Sequence, residues 1–243
     1  MIPKIIHYCW FGHNRKPALI KKCIESWKKF MPDWEIREWN EENYDVYKNQ
    51  YIRNAYAQKK WAFVVDYARF DILNQFGGIF LDTDVELLRP IPEEILRNDA
   101  FTGFESPERV APGLAYGTIP KQKILGKIMS VYEKKDFGKQ IDGRMENIVD
   151  IVTGILKDKG LTLNGEFQII DGLAVYPHDF FCCFNFETQD FEITERTVSI
   201  HHYSASWTSL SHRFHFKLIK AAARILGKER YLAIKRKIKG VKR

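Results

Sequence analysis

The sequence contains few cysteines, and their positions exclude two common ways of stabilising a small protein. Cys9, Cys23, Cys182 and Cys183 are the four cysteines among 243 residues. Their spacing forms neither a zinc-binding pattern nor a disulfide framework. Each lies among apolar neighbours, so we expect buried thiols in a reducing compartment.

Long apolar runs are also absent. No segment approaches the roughly 18 apolar residues of a membrane-spanning helix. The chain goes from a single early lysine, Lys4, straight into a predicted strand rather than a leader segment. It contains no internal repeat, low-complexity segment or convincing linker. We therefore expect a cytoplasmic protein with one domain, residues 1–212, and an appendage, residues 213–243.

The composition is that of a globular protein. Apolar residues make up 45% and charged residues 28% of the sequence, enough for one α/β domain with a large core or two small ones. Aromatic residues, at 14%, are frequent. That frequency suits a protein that stacks rings on flat ligands, and it equally suits a well-filled core.

The positive charge is concentrated in the appendage. The net charge is +7, but residues 213–243 contain twelve Lys or Arg and one acid, Glu229, which leaves −4 for the rest. The basic residues share a helical face with apolar residues opposite, which predicts that residues 214–243 bind an anionic membrane surface. The same charge could bind nucleic acid, which we do not expect because no recognisable motif is present. A solvated basic helix packed on the domain is the third interpretation.

The segment from Trp61 to Pro90 organises the rest of the chain. Apolar residues recur every three or four positions and predict a helix; they are Trp61, Val65, Ala68, Ile72 and Phe76. The pair Gly77-Gly78 should end that helix, because glycine adopts the left-handed conformation without a Cβ clash. A short buried strand, residues 78–81, should then lead to two aspartates, Asp82 and Asp84.

Two carboxylates at the end of a buried strand are costly unless a positive group meets them. Mg²⁺ and Mn²⁺ prefer such oxygens and leave positions open for phosphates. An acidic surface turn is the alternative, since Asp-x-Asp is a common tripeptide. Asp66 and Arg69 share a face of the preceding helix, distinct from its apolar stripe. They are either a surface ion pair or groups directed at the same site.

Strands and helices alternate before this segment. Residues 2–9 and 34–39 predict strands, Pro17 opens a helix between them, and residues 44–60 predict a weakly patterned helix. The alternation predicts a mainly parallel sheet. Trp10 follows the first strand, where ligands of open α/β sheets bind. It either stacks on a nucleobase, worth about 1–3 kcal/mol, or belongs to the core.

Later segments are less diagnostic. Strands are predicted at residues 100–105, 114–117, 167–176 (interrupted at Asp171-Gly172) and 197–200, and helices at residues 121–135 and 144–159. The last strand runs into His201 and His202. Neighbouring residues of an extended chain face opposite ways, so at most one histidine should reach a given metal. An ordinary polar role is the alternative for both.

Three strings together resemble glycosyltransferase family 32, the DXD sugar-binding group. Residues 66–84, DYARFDILNQFGGIFLDTD, resemble its signature in spacing; residues 7–12, HYCWFG, resemble its opening; and residues 201–207, HHYSASW, are similar to its "HH…SW" end. The resemblance covers residues 2 to about 90 well and residues 197–207 moderately. It implies a GT-A-like α/β fold, a Rossmann-type mixed sheet flanked by helices.

The resemblance also implies roles for individual residues. Trp10 would cover the uracil of the donor, and Asp66 and Arg69 would hold sugar hydroxyls. Asp84 would bind the metal, and Asp82 would bind metal, ribose or sugar. His202 or His201 would complete the metal site, and Ser206 and Trp207 would contact the diphosphate and the leaving oxygen. Loops after the metal strand line acceptor pockets, where Glu105 is a weak candidate.

The resulting hypothesis is a metal-dependent retaining hexosyltransferase. It would use Mn²⁺ or Mg²⁺ and a nucleotide-sugar donor, UDP-sugar being favoured, and act on a surface polysaccharide or lipid-linked glycan at the inner face of the membrane. The residues show no obvious protein nucleophile. A metal-dependent nucleotide-sugar phosphohydrolase and a non-catalytic glycan- or membrane-binding module remain alternatives.

Overall fold

The computed structural model of the chain describes residues 1–203 other than 136, 139, 142–143 and 146, and also residues 225–227, 230–233 and 235. The predicted boundary at residue 212 and most of the basic appendage therefore lie outside the described residues. Within the described part, no helix is long and apolar enough to cross a membrane.

Helices and strands alternate along most of the chain. The helices are α1 Ala18–Phe30, α2 Gln50–Ala57, α3 Trp61–Phe76, α4 Glu93–Leu96, α5 Lys123–Glu133, α6 Ile148–Asp158 and α7 His178–Phe181. The strands are β1 Ile5–Cys9, β2 Glu35–Trp39, β3 Gly78–Phe80, β4 Val85–Leu87, β5 Ala100–Ser106, β6 Arg109–Val110, β7 Tyr116–Thr118, β8 Gln140–Ile141, β9 Arg144–Met145, β10 Gln168–Ile170, β11 Leu173–Tyr176, β12 Phe184–Asn185, β13 Asp190–Phe191 and β14 Ser199–His201.

An eight-stranded mixed sheet forms the centre, in the order β10-β11-β5-β7-β3-β1-β2, with β6 beside β5. β1 pairs in parallel with β2 and β3, and β11 in parallel with β5. β7 runs antiparallel to both β3 and β5, and β10 antiparallel to β11. The predicted mixed α/β sheet flanked by helices is confirmed. The expectation of a mainly parallel sheet is wrong, because β7 lies between β3 and β5 and is antiparallel to both, and two hairpins add β6 and β10 as further antiparallel strands.

Helix α3 is buried around its whole circumference in its central part, Asp66–Leu73. It packs between α2 and α5 and against β1 and β3. The predicted separation of an apolar stripe from a polar face is therefore wrong: Asp66 and Arg69 are buried, whereas Phe76, assigned to the stripe, is 37% exposed. A helix enclosed on all sides buries its polar residues together with its apolar ones.

The end of α3 is fixed by glycine and histidine together. Gly77 and Gly78 have φ of 63° and 93°, which favour glycine, so the predicted stop is confirmed. A Cβ on Gly78 would lie 2.9 Å from His7 Nε2. That nitrogen is 2.9 Å from the Gly77 carbonyl oxygen, and Trp39 Nε1 donates to His7 Nδ1 at 3.1 Å. The junction thus ties α3 to β1 and β2.

Other predicted ends of helices and strands differ from the observed ones where a helix cap or a turn sets the end of the element. The predicted helix over residues 44–60 is reduced to α2, because the Asn49 side chain accepts from Ile52 N and starts the helix there. The helix predicted from residue 144 begins at Ile148, after an Asn147–Asp150 capping box. The interruption at Asp171-Gly172 is the turn of the β10–β11 hairpin.

Candidate functional site

The two aspartates lie where β3 leaves the sheet and the chain turns into β4. The turn is closed by Val85 N, which donates to the Asp82 carbonyl oxygen at 2.9 Å. β3 lies beside β1 in the sheet, and Leu81 N still bonds the His7 carbonyl oxygen at 3.1 Å. Asp82 and Asp84 are thereby held at the carboxyl end of β3, the edge at which α/β proteins bind ligands.

Arg69 reaches this turn from helix α3. Its guanidinium is ion-paired with Asp82 Oδ1 and lies over the Phe80 ring, 4.9 Å from the ring centroid. Arg69 is 2% exposed, and its Nε and Nη1 atoms have no hydrogen-bond partner in the described structure. A buried guanidinium with unused donors is suited to anionic or hydroxyl oxygens of a ligand.

Asp66 lies one helical turn before Arg69 and is also buried. Burial raises the pKa of its carboxyl group to about 7, partly opposed by the positive charge of Arg69, while Asp82 adds to the rise. Burial likewise raises the pKa of Asp82, against the opposing charges of Arg69 and His201. The alternative of an exposed surface ion pair is excluded for Arg69 by its burial.

Strand β14 brings His201 to the aspartates by pairing antiparallel with β4, where His201 is opposite Val85. His201 Nε2 is 3.0 Å from Asp84 Oδ1 and 3.8 Å from Asp82 Oδ2. Burial alone would lower the pKa of His201, but the charges of Asp84 and Asp82 outweigh it and the net shift is upward.

His202 faces another way, as expected for the next residue of an extended chain. Its Nε2 is 2.8 Å from Glu86 Oε2, and Lys22 lies 2.8 Å from the other oxygen of that carboxylate. The side chain of His201 therefore lies beside the aspartates, whereas the side chain of His202 is directed at Glu86 and its backbone N–H donates to the Asp84 carbonyl oxygen at 3.0 Å. That His201 ligates a metal stays a prediction.

Tyr203 and Glu105 extend the site on the far side of His201. The Tyr203 ring meets His201 edge-on, with ring centroids 4.1 Å apart, and its hydroxyl is 3.5 Å from Glu105 Oε2. Arg109 Nε donates to Glu105 Oε1 at 2.9 Å. Sequence reasoning missed Tyr203, and its position within HHYSASW was the available signal. Its φ of 46°, unusual for a bulky residue, is a structural sign of constraint.

A second feature, which we call the β1–β2 cavity, has a volume of about 410 Å³. It is lined by Gly12, His13, Tyr47, Arg53, Tyr56, Ala57, Lys59 and Trp61. Beside it, Glu41 Oε1 accepts from Gly12 N at 2.7 Å and from the Tyr56 hydroxyl at 3.1 Å. Glu41 Oε2 is buried and has no hydrogen-bond partner in the described structure. Sequence reasoning missed Glu41, although it lies two residues after β2, near a strand end where ligands bind.

Trp10, the predicted base-stacking residue, follows β1 and is partly buried. Its Nε1 donates to the Asn14 carbonyl oxygen at 2.6 Å, and Lys16 Nζ lies 5.7 Å from its ring centroid. It does not line the β1–β2 cavity, whose aromatic wall comes from Tyr47, Tyr56 and Trp61. Ser206 and Trp207 lie outside the described residues.

The donor atoms around Asp84 suit a divalent cation that keeps water or phosphate among its ligands. Among the described residues, no group of three or more His, Cys, Asp or Glu side chains forms a ready metal site. Ions of the Mg²⁺ type need only one or two carboxylates, because water and substrate phosphates fill the other positions. The carboxylate of Asp84 with the imidazole of His201 3.0 Å away is a fitting donor set.

Comparison with known proteins finds similarity over parts of the chain. The family model described as capsular polysaccharide synthesis protein matches residues 1–119. A 42-residue segment is 48% identical to the human α-1,4-N-acetylglucosaminyltransferase, and this match spans 17% of the chain and 12% of that relative. These matches confirm the resemblance to glycosyltransferases that the residues carry. The relative in question is named for the transfer of N-acetylglucosamine.

Two solved glycosyltransferase structures align with a large part of the chain at low similarity. One is the PaToxG glycosyltransferase, with a TM-score of 0.48 and 16% identity over 65% of this chain and 70% of that chain. The other is a glycosyltransferase involved in the glycosylation of the major capsid of PBCV-1, with a TM-score of 0.45 and 12% identity over 88% of this chain and 100% of that chain.

Proposed function

We propose that the protein transfers a hexose from a nucleoside diphosphate sugar to a hydroxyl of a surface polysaccharide or lipid-linked glycan. The observation that carries the proposal is the meeting of Arg69, Asp82, Asp84 and His201 at the carboxyl end of β3. Departure of a nucleoside diphosphate leaves negative charge on phosphate oxygens. A site that combines a buried guanidinium with carboxylates able to hold a cation can offset that charge.

The metal site is proposed to consist of Asp84, His201 and one oxygen of Asp82. A bound Mn²⁺ or Mg²⁺ would act as a Lewis acid toward the diphosphate. His202 is not part of this set, because its side chain is directed at Glu86. In this arrangement Asp82 Oδ1 pairs with Arg69, and Asp82 Oδ2 faces His201 and the metal.

The sugar is proposed to lie against Arg69 and Asp66. Arg69 has two unpaired buried nitrogens that can donate to sugar hydroxyls, and Asp66 offers carboxylate oxygens as acceptors. These groups are fixed on the enclosed part of α3, so their geometry changes little when the donor binds. Such fixed positioning contributes to the rate by removing the need to order the reacting groups.

The nucleoside is proposed to lie at the carboxyl ends of β1 and β2. Trp10, Tyr56 and Trp61 provide aromatic surfaces there, and base–aromatic stacking is worth about 1–3 kcal/mol. The unpaired buried oxygen of Glu41 can accept a hydrogen bond from a ribose hydroxyl or a base N–H group. This refines the prediction for Trp10 by adding Glu41 and Trp61.

The reaction is proposed to retain the anomeric configuration. The acceptor hydroxyl would attack on the face that the diphosphate leaves, and the leaving phosphate oxygen would take its proton. The chain's own contribution is to hold donor and acceptor together, with Glu105 and Tyr203 beside His201 on the proposed acceptor side.

The decisive experiment is a panel of nucleotide sugars with Mn²⁺, in which released nucleoside diphosphate and glycosylated product are both measured. Transfer should require an acceptor glycan and should be abolished by Asp84→Asn with the fold intact by circular dichroism. The exposed substitution Asp33→Asn is the control. Nucleoside diphosphate release that ignores added glycan would identify a phosphohydrolase instead, and full transfer by Asp84→Asn would remove the metal role.

A further inference from the structure

The loop between β6 and β7, residues 111–115, lies alongside the aspartate pair although none of the assignments above includes it. The loop turns through a hydrogen bond from Leu114 N to the Ala111 carbonyl oxygen at 3.2 Å. Within it, the Gly113 carbonyl oxygen accepts from Asp82 N at 3.3 Å. The backbone of Gly113 is therefore adjacent to the backbone of the first aspartate.

Gly113 also faces the Asp82 side chain. A Cβ built on Gly113 would have three Asp82 atoms as its nearest neighbours: Oδ2, closer than 3.0 Å, Cγ at 3.2 Å and Oδ1 at 3.7 Å. Separations below 3.0 Å are essentially never seen for real Cβ atoms, so Asp82 would have to move.

The backbone itself does not require glycine at this position. Gly113 is not among the glycines with positive φ, unlike Gly77 and Gly78. An L-amino acid can adopt its conformation without strain of the kind found at left-handed positions. The need for glycine thus arises from the neighbouring carboxylate rather than from the turn.

Movement of the Asp82 carboxylate would disturb the buried guanidinium of Arg69 beside it. Asp82 Oδ1 is ion-paired with Arg69, which is 2% exposed. A methyl group at position 113 would push the carboxylate away from the loop and change the angle of this ion pair. A buried charge that loses its partner is strongly unfavourable.

We propose that Gly113 is a positioning residue: the absence of its side chain lets the Asp82 carboxylate stand between Arg69 and His201. The proposal rests on the proposed function only where it concerns transfer, because the coupling between Gly113 and Asp82 exists in the fold itself. The prediction is specific to this glycine. A Cβ on Gly126 in α5 would meet nothing within 4 Å, and one on Gly117 would strike the core ring of Phe101.

The test is a double-mutant cycle of Gly113→Ala and Asp82→Ala, with Gly126→Ala as the matched control. Gly113→Ala should lower kcat for transfer by about 100-fold, the size of effect that a displacement of about 1 Å can cause. Its KM for the donor should change less than its kcat. In the Asp82→Ala background the same substitution should not change the unfolding midpoint further, because its target has been removed. Gly126→Ala should transfer sugar like the wild type and unfold at a slightly higher midpoint, because alanine is favoured over glycine inside a helix.

Equal shifts of the unfolding midpoint by Gly113→Ala in the two backgrounds would overturn the proposal, as would wild-type transfer by Gly113→Ala. If Gly113→Ala does not fold, restored folding of the double variant supports the proposal and continued unfolding refutes it. If the wild type transfers no sugar at all, the proposed function fails. The unfolding measurements still decide whether Gly113 acts through Asp82.

Discussion

Asp66 shows how a single residue of the site conflicts with the stability of the fold. Its carboxyl group is buried where other elements pack around α3, and this burial raises its pKa to about 7. The unfolded chain ionises near the ordinary value of 3.8. As pH rises from about 4 to about 7, the unfolded state loses its proton first, so this group makes folding less favourable. A residue with such a cost is expected where function needs it.

We therefore predict that Asp66→Asn stabilises the protein and impairs transfer. At pH 8 the free energy of unfolding should rise, on the order of 1–3 kcal/mol, because the buried ionised carboxylate is gone. The gain should shrink as pH falls toward 4, where the wild-type carboxyl group is protonated. Chemical denaturation at both pH values measures it, with the exposed Asp33→Asn as control. If the gain in free energy of unfolding over the wild type were smaller at pH 8 than at pH 5, the reasoning would be contradicted.

The junction of α3 with β1 and β2 is the element on which the site's position depends. His7 Nδ1 accepts from Trp39 and its Nε2 donates to the Gly77 carbonyl oxygen, so the imidazole must be neutral. Burial, the largest cause, lowers the pKa of His7 to about 4. Between pH 6.5 and 4 the unfolded chain binds the additional proton, so stability is complete above about 6.5 and falls as pH drops toward 4.

His7→Gln should remove this pH dependence. The wild type should lose about 3 kcal/mol more stability than the variant between pH 6.5 and 4, following from the difference between the two pKa values. Carboxylates titrate in both proteins, so their contribution cancels when the free energy of unfolding of the variant is subtracted from that of the wild type. His13→Gln is the matched control, since that side chain is 72% exposed. Parallel stability curves for wild type and His7→Gln would show that His7 is not the titrating group.

The elements around the site differ in how far the sequence predicts them. The α3–β3 unit follows from the glycine pair and the apolar strand, because Gly77 and Gly78 act locally. The burial of Asp66 and Arg69 does not follow, since it depends on α2 and α5 enclosing α3. The choice of His201 over His202 depends on the register of β14 against β4, which a single sequence does not contain. The signal for Glu41 was present, because it follows a strand end.

At the scale of the whole molecule, the charge of the last 31 residues differs in sign from that of the rest of the sequence. Residues 213–243 carry twelve basic residues and one acid, whereas the remainder is negative. We propose that this segment holds the protein to an anionic membrane at the inner face of the cell, which would bring the site close to a lipid-linked acceptor. Each basic residue near an anionic leaflet contributes about 1 kcal/mol.

Deletion of residues 214–243 should release the protein from anionic vesicles while leaving donor turnover on a soluble acceptor intact. Binding of the full chain should weaken as salt is raised, since screening shortens electrostatic reach to about 8 Å at 0.15 M. Co-sedimentation with anionic and with neutral vesicles measures it. Unchanged sedimentation after the deletion would assign the attachment elsewhere, and duplex DNA binding that exceeds vesicle binding would favour the nucleic-acid interpretation.

The pairing of β14 with β4 also has a consequence for biosynthesis. His201 lies 117 residues after Asp84 in the sequence. A chain cut between β4 and β14 would keep both aspartates but lose the imidazole, so the proposed cation site is complete only after β14 has been made and has paired with β4.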